Sequence, residues 1–126
     1  MKILILTIAV VTLSGCDQPS FAQATDPEIV MAIYHAEGGP AAQYPFGIRS
    51  VSCATFTNCQ RICQTTIRHN RSRFAHIRNK GHQSYLEYLA NRYCPSKGRN
   101  LTPAERRLNI NWLRNVRKYL RRHYNE

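Results

Sequence analysis

An apolar segment near the N-terminus limits how much of this chain can form a folded domain. Residues 3–13 are mostly apolar and follow a single positive charge at Lys2. This run is too short to span a bilayer, which takes about 20 residues, and its pattern is typical of a secretory leader. A polar stretch with one proline follows it. We therefore assign residues 1–22 to a leader and tether, and residues 26–124 to one small domain.

Two processing sites compete within this leader. Residues 13–16 (LSGC) resemble the bacterial lipobox, in which the cysteine, here Cys16, is lipidated and becomes the new N-terminus. Residues 20–22 (SFA) offer instead the small-x-small pattern of ordinary cleavage. The lipobox is favoured because it directly follows the apolar run. We expect an exported lipoprotein that is anchored in a membrane and faces the periplasm, with a soluble periplasmic or secreted protein as the alternative.

The number of cysteines supports export under either processing scheme. The chain has five cysteines, and both schemes remove Cys16 from the folding domain. An even number then remains in an oxidising compartment, which predicts two disulfides. The four residues concerned are Cys53, Cys59, Cys63 and Cys94. Three connectivities are open, although the one-turn spacing of Cys59 and Cys63 favours separate bridges to other elements over a bond between the two.

The chain is strongly basic, with 18 lysines and arginines against seven acids and a net charge of +11. A basic exported protein is attracted to anionic surfaces. Outside the cytoplasm these are phospholipid headgroups and the carboxylate-bearing peptides of the cell wall, and export argues against nucleic acid as a partner. A solvated basic face without any partner accounts for the same charge.

Capping signals and apolar spacing predict a mostly α fold of four or five helices. The first helix begins after Thr25, and the second is expected to have Asn58 as its cap. Ser84 opens the third helix with an S-x-x-E capping box. Thr102 opens the last helix, which either continues through Asn109 or breaks near it.

The segment between the first two helices is predicted to be a loop. Residues 38–57 carry glycine and proline punctuation around a short apolar piece, residues 48–51, which is expected to form a small strand or part of a hairpin. The chain is therefore predicted to be a small, mostly helical, disulfide-bridged domain.

Glu37 is the acidic residue without an evident structural role. Four of the seven acids are placed at predicted helix starts, where the helix dipole favours them: Asp26, Glu28, Glu87 and Glu105. Asp17 follows the processing site, and Glu126 is the last residue. Any chemistry that needs a carboxyl group would then depend on one acid rather than two.

The residues around Glu37 predict a partly desolvated carboxyl group. Ile33 lies one turn earlier on the same helix face, and the glycines at residues 38–39 end the helix. Tyr44 and Phe46 follow within ten residues and provide apolar and aromatic surface that can cover the carboxyl group. Burial raises the pKa of a carboxyl group, whereas the positive charge of this chain lowers it, so an acid role requires burial to be the larger effect.

Three segments resemble the lysozyme-like lytic transglycosylases. They are residues 33–39 (IYHAEGG), residues 44–51 (YPFGIRSV) and residues 109–116 (NINWLRNV). In that superfamily a glutamate ends an early helix, a glycine-led segment follows it, and a late helix bearing Asn and Tyr closes the cleft. The resemblance implies a small lysozyme-like helical domain that cleaves the MurNAc–GlcNAc bond of peptidoglycan glycan strands without a cofactor or metal.

The resemblance also implies a role for particular residues. Glu37 would protonate the glycosidic oxygen and then, as a carboxylate, take the proton of the sugar's own 6-hydroxyl, which forms an anhydro ring. The implied sugar contacts are Tyr44, Ser50, Asn111 and Trp112. For Trp112 the alternative is a core position, since it lies among apolar residues at helical spacing. For Asn111 the alternative is a hydrogen bond that serves packing, since asparagine is mildly unfavourable inside a helix. A muramidase that hydrolyses the same bond is a close relative of this reaction.

A metal enzyme is a second hypothesis. His35 and Glu37 form an H-x-E pair that, with Cys59 and Cys63, is similar to the signature of zinc deaminases. The spacing between the cysteines is one residue too long, and no proline precedes them. The other histidines show no ligand spacing: His69, His76, His82 and His123.

A third hypothesis is a non-catalytic basic lipoprotein that binds the cell wall, an anionic membrane or a partner protein. The basic side chains available for this role are Arg61, Arg68, Arg71, Arg73 and those of residues 114–122. Binding of this kind should weaken steeply with ionic strength.

Overall fold

Four α-helices form most of the chain in a computed structural model, which describes residues 24–49, 52–81, 83–94 and 100–124. They are α1 (Asp26–Ala36), α2 (Phe56–Ala75), α3 (Tyr85–Tyr93) and α4 (Pro103–Tyr124). Two 3₁₀ turns, Gly39–Ala41 and Pro45–Gly47, lie between α1 and α2. The prediction of a mostly α fold with four or five helices is confirmed, with four α-helices in the described residues. The described residues contain no strand, so the expected strand or hairpin is not found in them.

Side-chain caps begin the helices, mostly where the sequence predicts them. The Thr25 amide donates to Glu28 at 2.6 Å, and the Ser84 amide donates to Glu87 at 2.8 Å. The expected cap at Asn58 is wrong, because the Thr55 hydroxyl accepts from the Asn58 amide at 3.2 Å and α2 begins three residues earlier. α4 is continuous, without a break near residue 109.

The core is centred on α1, which packs against both α2 and α4. Side chains from all four helices are fully buried there: Ile29, Ile33, Ile67, Leu86, Leu89, Val116 and Leu120. Phe46, from the second 3₁₀ turn, is also fully buried and lies beside the Tyr34 ring. This packing fixes the C-terminal end of α1 between the 3₁₀ turns and α4, which is where Glu37 lies.

One arginine ties the start of α1 to α2 and α3. Arg71 forms an ion pair with Asp26 at 2.6 Å and donates to the Ala24 carbonyl at 2.9 Å. Its guanidinium also lies 4.3 Å from the centre of the Tyr85 ring. The Arg71 side chain is therefore a structural link and not part of a free basic face.

Among the described residues there is one disulfide where two were expected. Cys53 and Cys59 are bonded, whereas Cys63 and Cys94 are free thiols. Cys63 is buried beside the Tyr93 hydroxyl, 4.0 Å away, and the Cys94 thiol donates to Asn109 of α4 at 3.0 Å. The two sulfurs thus have different neighbours. Burial raises the pKa of Cys63 to about 12 and that of Cys94 to about 11, so both thiols are protonated at neutral pH.

The predicted leader, the predicted lipidation site at Cys16 and the candidate sugar contact Ser50 lie outside the described residues. Within the described ranges, no helix is long and apolar enough to cross a membrane.

Candidate active site

Glu37 is the residue that ends α1. Its amide still donates to the Ile33 carbonyl at 2.9 Å, but its own backbone has left the helical region. Gly38 follows with φ of +111°, a left-handed conformation that glycine adopts without a Cβ clash. The glycine break therefore holds the Glu37 side chain at the end of the helix rather than along its buried stripe.

The second 3₁₀ turn forms one wall beside the Glu37 carboxyl group. Phe46 and Gly47 both have positive φ, at 59° and 68°. The Phe46 ring anchors the turn in the core, and its carbonyl accepts a hydrogen bond from the Tyr93 hydroxyl. A Cβ placed on Gly47 would lie 2.7 Å from the Glu37 carboxyl carbon, so the turn approaches this closely only because the residue is glycine.

Trp112 of α4 holds the Glu37 carboxyl group from the other side. The indole is 5% exposed and stacks on Tyr93, with ring centres 5.2 Å apart. Its Nε1–H donates to Glu37 Oε1 at 2.7 Å. An indole nitrogen can only donate, so Oε1 is the accepting oxygen and a proton on this carboxyl group is favoured on Oε2. Trp112 is thus both a core residue and a direct partner of Glu37.

Burial raises the pKa of Glu37 above its ordinary value of 4.5. The Trp112 hydrogen bond and the positive charge of Arg49 act in the opposite direction and lower the pKa, but both effects are smaller than that of burial. Of the opposing effects on the pKa of Glu37, burial is therefore larger than the attraction of the positive charge.

Glu37 faces a cleft of about 580 Å³ that is bounded on one side by α4. Its volume is within the range of about 300–1,000 Å³ that is typical of small-molecule sites. Polar and charged side chains on its wall are Glu37, Arg49, Glu105, Asn109, Asn111 and Asn115, and Trp112 lies among them. The structure therefore brings together three of the predicted site residues, which are Glu37, Asn111 and Trp112.

Tyr44 is not among the residues that line the cleft, in contrast to its predicted role as a sugar contact. The side chain is 43% exposed and lies just before the second 3₁₀ turn, on which Phe46 rather than Tyr44 points into the core. Its ring instead carries the guanidinium of Arg49, 5.4 Å from the ring centre. Tyr44 therefore contacts a residue of the cleft wall, Arg49, but does not itself line the cleft.

Sequence reasoning missed several features of this cleft. Arg49 and Tyr93 carried no recognisable signal, and Glu105 was explained by its cap. Glu105 does accept from the Thr102 amide and hydroxyl, both at 2.7 Å, but it also lies on the cleft wall. The close approach of Gly47 to Glu37 had one sequence signal, which is the Pro-Phe-Gly sequence of residues 45–47 that is typical of a turn.

The zinc hypothesis is wrong for the residues on which it depended. Cys59 is bonded to Cys53 and is not available as a thiolate ligand. His35 stacks on Tyr119, 5.1 Å away, and lines a separate groove between α1 and α4 rather than the Glu37 cleft. Among the described residues, no three His, Cys, Asp or Glu side chains are grouped closely enough to hold a metal ion.

No family model, curated protein or solved structure matches this chain. The functional assignment therefore depends on the geometry and chemistry of the Glu37 cleft.

The raised pKa of Glu37 predicts a specific dependence of stability on pH. A carboxyl group with a higher pKa in the folded chain than in the unfolded chain stabilises the fold fully below the unfolded value of 4.5. This contribution is lost as the pH rises through the folded pKa. Glu37→Gln keeps an acceptor for Trp112 and never ionises. The free energy of unfolding of this variant relative to that of the unaltered protein, measured with urea, should therefore rise as the pH increases from 4.5 through the raised pKa of the folded chain.

Glu105→Gln provides a control with the opposite sign. The Thr102 hydrogen bonds lower the pKa of Glu105, so its stabilising contribution is present at neutral pH and is lost as the pH falls through the folded pKa. The stability of this variant relative to the unaltered protein should therefore fall as the pH rises. A difference for Glu37→Gln that does not change with pH would contradict the burial of this carboxyl group.

Proposed function

We propose that this protein is a peptidoglycan-cleaving lytic transglycosylase, or a closely related muramidase, in which Glu37 is the single general acid and base. The observation that carries this proposal is a carboxyl group with a raised pKa, held between Gly47 and the Trp112 indole at the wall of a cleft of about 580 Å³. General acids that work near neutral pH are tuned in this way.

The proposed reaction needs one carboxyl group because the substrate supplies the nucleophile. Protonated Glu37 gives its proton to the glycosidic oxygen of the leaving sugar as the bond from that oxygen to C1 of the muramic acid breaks. The ionised carboxylate then takes the proton of the 6-hydroxyl of the same muramic acid unit as O6 bonds to C1. The second step restores the acid, so no water is consumed and no second carboxylate acts as the base.

The rest of the cleft is suited to a polar sugar. Asn111 and Asn115 are exposed one turn apart on α4, and both line the cleft. Amide side chains both donate and accept, as recognition of hydroxyl and N-acetyl groups requires. Peptidoglycan lies outside the cytoplasmic membrane, which agrees with our proposal that the chain is exported and anchored through Cys16.

The test of the proposed function is the mass of the products. The purified protein is incubated with peptidoglycan, and the soluble fragments are separated and weighed. A transglycosylase releases anhydro-muropeptides or, from strands without peptides, anhydro-disaccharides, and each is lighter by one water than the fragment that hydrolysis releases. Hydrolytic fragments would assign the muramidase reaction instead. Absence of both kinds of fragment, with a folded protein and a positive control enzyme, would contradict the proposal.

Trp112→Phe should change the pH profile of this activity. Phenylalanine keeps the aromatic stack on Tyr93 but cannot donate to Glu37. Because that hydrogen bond lowers the pKa of Glu37, its removal raises the pKa further and the acid stays protonated to higher pH. The alkaline limb of kcat/KM should therefore move to higher pH, while the rate falls because the carboxyl group loses its fixed orientation. An unchanged alkaline limb would show that Trp112 does not act on Glu37.

A non-catalytic basic protein is the second candidate, supported by the exposed cations of α2 and α4. Examples are Arg61, Arg68, Arg107, Arg114 and Lys118, which are exposed and form no ion pair within the described part of the chain. This candidate predicts binding to peptidoglycan or anionic vesicles that weakens steeply with salt and is unchanged in Glu37→Gln. The first candidate predicts turnover that Glu37→Gln abolishes.

A further inference from the structure

Arg49 is a charged side chain whose position in the cleft the proposed reaction leaves unexplained. It lies two residues after the turn that faces Glu37, and it lines the same cleft. Its guanidinium lies over the Tyr44 ring, 5.4 Å from the ring centre, and such stacking leaves the edge of the guanidinium free to donate. The side chain is exposed and forms no ion pair among the described residues.

The two acids on the cleft wall do not neutralise this charge. Glu105 is held by both hydrogen bonds from Thr102. Glu37 carries no charge in the protonated form that the proposed reaction requires at its start. Arg49 is nevertheless close enough for its charge to act on Glu37. The cleft that contains the proposed acid Glu37 therefore also contains a guanidinium without an ion pair among the described residues.

We propose that Arg49, held on Tyr44, recognises the free carboxylate of the lactyl group on the muramic acid unit whose bond is cleaved. The lactyl group is attached at O3, two carbons from the reacting C1, so it lies near the proton donor in any productive pose. A guanidinium can bind a carboxylate through two parallel hydrogen bonds. This inference rests on the proposed function, because it takes Glu37 as the group that marks the position of the scissile bond.

The proposal separates two forms of the same glycan. Where a stem peptide is attached, the lactyl carbonyl is an amide and carries no charge. Where the peptide has been removed, the group is a carboxylate. The structure therefore favours peptide-free strands as the substrate. The reaction that supplies them must be the hydrolysis of the amide bond between the lactyl group and the peptide.

The experiment compares binding of the two strand forms to inactive protein, so that the result does not depend on turnover. Glu37→Gln, Glu37→Gln with Arg49→Gln, and Glu37→Gln with Arg78→Gln are titrated with peptide-free and peptide-bearing strands by calorimetry. Arg78→Gln is the matched control, since Arg78 is exposed just after α2 and does not line the cleft, and it removes the same charge. A third ligand, peptide-free strands with the lactyl carboxylate converted to a simple amide, tests the charge without any further variant.

We expect Glu37→Gln to bind peptide-free strands roughly tenfold more tightly than peptide-bearing strands, as one charge-assisted contact provides. The ratio should fall close to one with Arg49→Gln and with the amidated ligand, and it should be unchanged with Arg78→Gln. Equal binding of the two strand forms, or a ratio that Arg49→Gln leaves intact, would overturn the proposal. Anhydro products without a strand preference would overturn the role of Arg49 alone. A strand preference without any cleavage would overturn the reaction and leave Arg49 as a carboxylate-binding residue.

Discussion

Glu37→Gln is expected to lower kcat for peptidoglycan cleavage by roughly 10²–10⁴-fold, the range that general acid–base catalysis contributes. Glutamine has the size of the acid but no proton of suitable pKa to give, and it cannot take one back. Its carbonyl can still accept from Trp112, so the cleft wall should keep its shape and KM should change little. The release of anhydro-muropeptides with time, measured by mass at saturating substrate, checks this result. The urea unfolding of the variant at the same pH shows whether it is folded, which separates a loss of catalysis from a loss of structure.

Glu105→Gln is the matched control for the single-acid mechanism. Glu105 is the other carboxylate on the described wall of the cleft, and ordinary glycosidases use two such groups. Its carboxylate accepts hydrogen bonds from Thr102, and these bonds lower its pKa, so Glu105 serves as an ionised cap at the start of α4. We expect its kcat to stay within about twofold of the unaltered value, since no catalytic step uses this group. A loss as large as that of Glu37→Gln would contradict the single-acid mechanism and indicate a pair of carboxylates.

The helices were largely predictable because their signals are local. The caps at Thr25, Ser84 and Thr102 each depend on a partner three residues later, and the apolar stripes repeat within one element. Asn58 was mistaken for a cap because two residues of capping type lie three apart, and only the backbone decides that Thr55 accepts from the amide of Asn58. The segment near residue 48 has the apolar residues of a strand, but the described chain offers no second strand to pair with it. A strand forms only when a partner is present, and the sequence of one segment does not show whether it is.

The site was predictable only in part, because most of its contacts join distant segments. Glu37 could be found from its position at a helix end and from the lack of another role. Its partner Trp112 is 75 residues away, and its helical spacing among apolar residues favoured a core position over a contact in the cleft. Arg49 lies over the Tyr44 ring because the turn at Pro45–Gly47 brings the two side chains together, and the conformation of that turn was not predicted. Cysteine number predicted two disulfides, yet number does not determine whether Cys63 and Cys94 face each other.

Gly47→Ala is expected to lower the rate of peptidoglycan cleavage by roughly 10²-fold without unfolding the protein, because about 1 Å of misplacement at a reacting group has such an effect. The new Cβ would lie 2.7 Å from the Glu37 carboxyl carbon and 2.9 Å from Oε2, so the carboxyl group has to move. The backbone at Gly47, with φ of 68°, adds a cost of about 1 kcal/mol for any residue with a side chain. The chain has one tryptophan, and Trp112 donates to this carboxyl group, so the same displacement should also change the tryptophan fluorescence.

Gly81→Ala separates the displaced carboxyl group from the strained backbone. Gly81 has a similar φ of 55°, but a Cβ there would have no neighbour within 4 Å. Both variants carry the backbone cost, and Gly47→Ala also has to displace Glu37, so it should lose more stability in urea than Gly81→Ala. Only Gly47→Ala should lose cleavage activity and change the fluorescence of Trp112. Equal activity in both variants would mean that the close approach of Gly47 to Glu37 has no part in catalysis. A large loss of activity in both would assign the effect to backbone strain, and the position of the Glu37 carboxyl group would then no longer explain the reaction.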